Sequence, residues 1–207
     1  MKKSIVLIGD IISSKKIPDR QKVQEKIRGV LAKLNKENMH LISPYTITLG
    51  DEFQAVLKNA RHLFGDIITI LYVIFPTKIR FSIGIGDIQT PVNPNQAIGM
   101  DGTAFYNART GIDKLKECGC LVTIVNPEDA CQKLIEQSLF LVSNKIVKWK
   151  QVRLQIFLDL CKNLPVKQMA KKMSITDKAI YKNIDDGELK IIKQLFFEIE
   201  SSINRKL

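Results

Sequence analysis

The 207-residue sequence predicts an α+β protein, with helices packed on a mainly antiparallel sheet and an all-helical module behind it. Three observations lead there. Over residues 1–126, runs with strand character and runs with helical period alternate in the order β-α-β-β-α-β-α-β. Two of these strands meet at Gly50-Asp51, a tight hairpin turn that makes them antiparallel neighbours. From Pro127 onward the period is helical throughout, which divides the chain into residues 1–126 and 127–207.

The first element is the continuous apolar run Ser4–Ile12, the mark of a strand buried on both faces. Asp10 falls near its end, and burying a carboxylate without a partner is costly, so Asp10 must meet solvent, donors or a cation. A structural alternative is that Asp10 caps a turn through Ser13 and Ser14. Asp19 to Glu37 is an amphipathic helix: Val23, Ile27, Val30, Leu31 and Leu34 share one face, and Asp19 is placed to cap it. Tyr45, Ile47 and Leu49 then alternate with Thr46 and Thr48, and Phe53–Leu57 resumes as a strand after the turn. A second helix is expected over Ala60–Phe75, where Pro76 ends it. In Lys78–Asp87, Ile79, Phe81, Ile83 and Ile85 face one way and Arg80, Ser82, Gly84 and Gly86 the other. That second face is kept small, as suits a close approach. A helix over Gly102–Glu117, with Phe105, Ala108, Ile112 and Leu115 inward, and a strand over Leu121–Val125 complete the series.

Composition bounds what the protein can be. Hydrophobic content of 45% and charged content of 26% are those of a globular protein. A formal charge of +11 predicts attraction to polyanions such as nucleic acid, nucleotides or acidic membrane surfaces. Residues 1–8 resemble the start of a signal peptide, but Gly9-Asp10 breaks the apolar run and no cleavage site follows. No stretch is long enough to span a bilayer, so no membrane partner is expected. Cys118, Cys120, Cys131 and Cys161 have neither Cys-x-x-Cys spacing nor nearby histidines. Reduced thiols and a cytoplasmic location are therefore expected.

The chemistry concentrates at the hairpin. Asp51 and Glu52 stand at its tip beside Gly50, which has no side chain to block a ligand; the plain alternative is a solvated turn. In a β-α-β-β unit the first strand commonly pairs antiparallel with the strand after the hairpin, which places Asp10 beside Asp51 and Glu52. Clustered carboxylates raise one another's pKa unless a cation sits among them. Oxygen donors in an open site suit Mg²⁺ or Mn²⁺, held by a few carboxylates and substrate phosphates.

Four segments in order, Gly9-Asp-Ile-Ile-Ser-Ser14, Leu49-Gly-Asp-Glu-Phe-Gln-Ala-Val56, Arg80-Phe-Ser-Ile-Gly-Ile-Gly86 and Ala104-Phe-Tyr-Asn-Ala-Arg109, resemble the motifs of class III nucleotidyl cyclases and GGDEF diguanylate cyclases. The whole chain resembles the SatD family of small bacterial proteins. The cyclase-like resemblance implies a ferredoxin-like, palm-like β-α-β-β-α-β sheet in which Asp10 and Asp51 match the metal-binding aspartates. Glu52 would assist them, and Gly9 and Gly50 would lie against a nucleotide, a nucleoside triphosphate or a related compound. Arg109 matches the helix cation that neutralises phosphate charge. Those relatives place their sites at dimer interfaces, which implies a homodimer. Leu49 departs from the first glycine of the GGDEF signature, and Phe105 stands where cyclases carry asparagine, with Asn107 two residues out of register.

In the second part, Glu128 to about Lys162 reads as helical, with Trp149 in the core. Residues 165–184 read as a helix-turn-helix: Ala170 at the crossing, Ser174 in the turn, Thr176 capping the second helix, Ile180 and Ile184 inward. Lys171, Lys172, Lys178, Tyr181 and Lys182 are placed to meet DNA, with the lysines near phosphates; a packing or dimerisation module of the same shape is the alternative. Glu188–Lys206 is a final amphipathic helix. Together these predict a regulatory protein that couples a metal-dependent nucleotide site to DNA. The alternatives are an active metal-dependent nucleotidyl or phosphoryl transferase whose tail mediates assembly, and an inactive palm serving as an interaction scaffold.

Overall fold

The computed structural model describes residues 3–48 and 50–207. Leu49, and with it the last member of the Tyr45-Ile47-Leu49 alternation, lies outside the described residues. The chain forms a five-stranded mixed sheet and, among the described residues, eight α-helices. The strands are β1 (Ser4–Ile11), β2 (Leu41–Ile47), β3 (Glu52–Leu57), β4 (Ile79–Gly86) and β5 (Val122–Val125), in the order β2-β3-β1-β4-β5. The all-apolar β1 lies at the centre, antiparallel to both β3 and β4; β2 closes one edge antiparallel to β3, and β5 the other, parallel to β4.

Helices α1 (Arg20–Glu37) and α2 (Leu63–Ile74) lie on one face, where Ile5, Leu7 and Ile11 meet Ile27, Val30, Leu31, Leu34, Ile67 and Ile70. Asp19 caps α1 by accepting from the Lys22 N–H at 3.1 Å. The opposite face carries α3 (Thr103–Cys118), with Ala104, Ala108 and Ile112 on Val6 and Ile8, together with the connection over residues 87–102. Glycine lets α3 sit flush: a Cβ at Gly84 would fall 2.1 Å from the Ala104 carbonyl oxygen, and one at Gly86 would fall 2.4 Å from Thr103 Oγ1.

Three elements differ from their expected bounds, the first being α2, expected from Ala60 but beginning at Leu63. β2 begins at Leu41, ahead of Pro44, because an edge strand with register shifts at Leu41/Ser43 and Ser43/Thr46 tolerates a proline that a central strand would not. The Asn35 side chain bonds both the N–H and the carbonyl of Tyr45, at 2.7 and 3.0 Å. The helical stretch after Pro127 is two helices, α4 (Gln132–Ile146) and α5 (Gln151–Cys161), parted at residues 147–150. Trp149 there is buried, 5.4 Å from Phe157.

The remaining helices are α6 (Val166–Met173), α7 (Asp177–Asp186) and α8 (Leu189–Asn204). α6 and α7 are joined through Ser174, whose φ of 54° is left-handed, and Thr176 caps α7 through the Ala179 N–H at 3.1 Å. One apolar core runs from the sheet into this part: Phe64 of α2 stacks on Phe196 of α8 at 3.9 Å, and Phe157 meets Phe196 at 5.9 Å.

Candidate functional site

Strand register decides which side chains share the end of the sheet. Asp10 stands directly opposite Glu52 on β3 and opposite Arg80 on β4. Directly opposed residues project from the same face, so all three emerge on the side covered by α3. The Ile11 N–H donates to the Asp51 carbonyl at 3.0 Å, which ties the hairpin tip to β1. Asp10 therefore meets Asp51 and Glu52, forty-one and forty-two positions on in the chain, at one end of the sheet, as the pairing of the first strand with the strand after the hairpin predicts.

Each carboxylate has a partner. Arg80 Nη1 donates to Asp10 at 3.2 Å. Arg109, in the second turn of α3, grips Glu52 with both terminal nitrogens, at 2.5 and 2.8 Å, and Thr48 Oγ1 lies 3.3 Å from the same carboxylate. Asp51 accepts from the Ser14 hydroxyl, so Ser14 serves Asp51 rather than capping a turn with Asp10. Glu52 is only 12% exposed and Arg109 49%, so the guanidinium is the outer member of its pair. Arg80 Nε is buried without a partner among the described residues.

Electrostatics follow from these contacts. Burial pushes the Asp10 carboxyl above the usual carboxylate range, against the opposing pull of Lys116 and Arg80. The Glu52 carboxylate holds the Arg109 guanidinium even more firmly charged than usual.

Of the residues predicted from sequence, Asp10, Asp51, Glu52 and Arg109 converge here. Gly50 turns the hairpin at φ 54°, and its carbonyl accepts from Gln24 Nε2 at 2.9 Å. Gly9 has a packing role instead: a Cβ there would fall 2.2 Å from the Phe53 ring, on the face away from Asp10. Asn107 donates to the Ile85 carbonyl at 2.8 Å and so points away from the site. Arg80 and Lys116 escaped the sequence reading. The phase of β4 and the seven-residue step from Arg109 to Lys116 along α3 were the signals available.

Among the described residues no group of three or more His, Cys, Asp or Glu side chains is arranged to hold a metal ion by itself. The donor set suits the looser mode of Mg²⁺ and Mn²⁺, one or two carboxylates completed by substrate phosphates. Asp10 and Asp51 would be those carboxylates, and the orphaned Arg80 Nε is a donor in want of an acceptor.

On the tail, Lys171, Lys178, Tyr181 and Lys182 are exposed. Lys172 differs: its ammonium bonds both oxygens of the buried Asp159, at 2.8 and 3.0 Å, so it ties α6 to α5. No helix among the described residues is long and apolar enough to cross a membrane.

The family model described as the SatD family matches residues 4–195 of this chain. No curated protein matches it.

Proposed function

The chain belongs to the SatD family, and we propose that it is a regulatory protein whose sheet binds a nucleotide together with a divalent ion and whose helical tail meets DNA. What carries this reading is the register that sets Asp10 opposite both Glu52 and Arg80, with Arg109 closing over Glu52. Carboxylates and guanidiniums alternate there, an arrangement suited to a ligand that is itself a cation–polyanion pair. The strand order β4-β1-β3-β2 with α1 and α2 on one face supports the ferredoxin-like, palm-like assignment.

In this reading Asp10 and Asp51 hold Mg²⁺ or Mn²⁺, which supplies charge neutralisation at the nucleotide phosphates when bound. Arg109 swings from Glu52 to a phosphate, and Arg80, displaced from Asp10 by the ion, turns to the phosphates as well. Binding without cyclisation is favoured, because Phe105 offers no polar group where cyclases carry asparagine and the Asn107 amide is engaged by Ile85. The tail reads DNA as a helix-turn-helix, with α7 presenting Lys178, Tyr181 and Lys182 and α6 presenting Lys171.

A thermal-shift screen of nucleoside triphosphates with Mg²⁺ or Mn²⁺ tests the first half. A ligand at a hundredfold its Kd should raise the Tm by roughly 5–10 °C. Asp10→Asn with Asp51→Asn should abolish that shift; no shift with any nucleotide sinks the reading. Duplex DNA titrated across salt concentrations tests the second half. A binding curve with no salt slope, or one that ignores Lys178→Ala with Lys182→Ala, rules out phosphate contact through α7.

A further inference from the structure

The opposite end of the sheet holds a second concentration of ionisable groups, unrelated to the carboxylates described above. The chain has 2 histidines, and both are there: His40 and His62 stack with ring centroids 6.0 Å apart. Beside them the buried Asp66 of α2 accepts from the Tyr45 hydroxyl at 2.8 Å and from the Asn38 amide at 2.7 Å. The start of α2 is capped from the far end of the chain: Glu200 of α8 accepts from the Phe64 N–H at 3.0 Å, and Asn204 accepts from the Ala60 N–H at 2.7 Å. Neither Asp66 nor Glu200 has a lysine or arginine partner among the described residues, although most other buried acids here do.

We propose that this seam is a proton-responsive clamp, in which proton uptake by Glu200 tightens the hold of α8 on the start of α2 and uptake by Asp66 tightens the packing of α2 against Tyr45 of β2 and Asn38. The geometry supplies the reason. Both carboxyls accept hydrogen bonds only from neutral groups: Glu200 beside the apolar stack of Phe64 on Phe196, and Asp66 buried between Tyr45 and Asn38, and in both places a lone negative charge is poorly tolerated. Other ionisable groups facing the seam are Glu37 at the end of α1, His40 and Tyr45 at β2, Lys58 after β3, Arg61 and His62 before α2, Cys161 of α5 and Lys193 of α8.

Burial pushes Glu200 up to about 7 and Asp66 up to about 6. A carboxyl raised in the fold stabilises it fully below its ordinary range and loses that contribution as pH rises through the folded value. The clamp is therefore tight near pH 6 and slackens toward pH 8. His40, lowered by burial, opposes further tightening once the solution is acidic enough to charge it.

The test is urea unfolding at pH 6 and pH 8, read by the single tryptophan. Trp149 touches Phe157, which touches Phe196 of α8, so its emission reports the docked helix. The folding equilibrium constant of the wild type should rise at least about tenfold from pH 8 to pH 6. Glu200→Gln keeps the acceptor for the Phe64 N–H and should remove most of that rise; Asp66→Asn should remove the rest. A double variant that keeps the full wild-type dependence overturns the proposal. Should the variants fold poorly, amide exchange at Phe64 in the wild type decides, and protection equal at both pH values overturns it as well.

Discussion

Gly84→Ala isolates the contact that seats α3 and, with it, Arg109 and Lys116. A methyl at this position would lie 2.1 Å from the Ala104 carbonyl oxygen and 2.3 Å from the Ala108 nitrogen. Both are backbone atoms of a helix, so no side-chain rotation relieves the clash, and α3 must lift by about 1 Å or more to restore ordinary contact distances. Overpacking of a tight interior costs roughly 1–3 kcal/mol, and two backbone contacts place this case near about 3. For a chain of this length that corresponds to a Tm lower by roughly 6–12 °C. Gly29→Ala is the matched control: it sits exposed in the middle of α1 with nothing within 4 Å of the new methyl. There the same substitution should stabilise by about 1 kcal/mol through helix propensity. Urea and thermal unfolding of both variants measure the contrast. If Gly84→Ala melts within about 2 °C of the wild type, the flush seating of α3 is not what fixes the charged end of the sheet.

Gly111→Ala should also destabilise, since its methyl would fall 2.0 Å from Ser82 Oγ, but here the obstacle is a removable side chain. Among the described residues Ser82 Oγ is buried without a partner, so Ser82→Ala should be nearly neutral by itself and should recover about 1 kcal/mol of the Gly111→Ala loss in urea unfolding. Lys172→Met leaves Asp159, 2% exposed, with the Gln155 amide as its remaining side-chain donor. Because Lys172 is half exposed, a loss of about 2 kcal/mol is expected rather than the full penalty of a broken buried pair. Asp159→Asn should return most of it. Tyr45→Phe removes a hydrogen bond that holds Asp66 down, so the Asp66-dependent loss of stability with rising pH should move above its midpoint of about 6; unfolding followed between pH 5 and 8 measures it.

Much of the fold is legible in the sequence, because hydrophobic period and turn chemistry are local. The phase of β4, the cap of α1 and the left-handed Ser174 all follow from residues within one turn of one another. Pro44 disguised the first half of β2, since a proline argues against a strand until its edge position is known. The site is half legible. Asp10 and Asp51 could be joined because β1 and the hairpin follow a common pairing rule, whereas Arg80 needed the exact β1–β4 register. Lys172 was misleading for a related reason: its partner Asp159 lies on another helix, and no local pattern marks a surface lysine as already engaged.

The pairing of acids with arginines constrains how a ligand can enter the proposed nucleotide site. A phosphate arriving alone would draw Arg109 away from Glu52 and leave a largely covered carboxylate unmatched. A divalent ion arriving alone would compete with Arg80 for Asp10 and leave a guanidinium whose Nε already has no partner among the described residues. Each route leaves a buried charge uncompensated, at a cost on the order of a few kcal/mol. A metal–nucleotide complex avoids both costs, because its cation matches the carboxylates while its phosphates match the guanidiniums. Ion and nucleotide should therefore bind cooperatively, each improving the other's affinity by roughly tenfold or more. Titration calorimetry of Mn²⁺ with and without a nonhydrolysable nucleotide measures that factor, after subtracting the ion's affinity for the free nucleotide. Equal ion affinity in the two titrations would show that Arg80 and Arg109 do not guard the carboxylates.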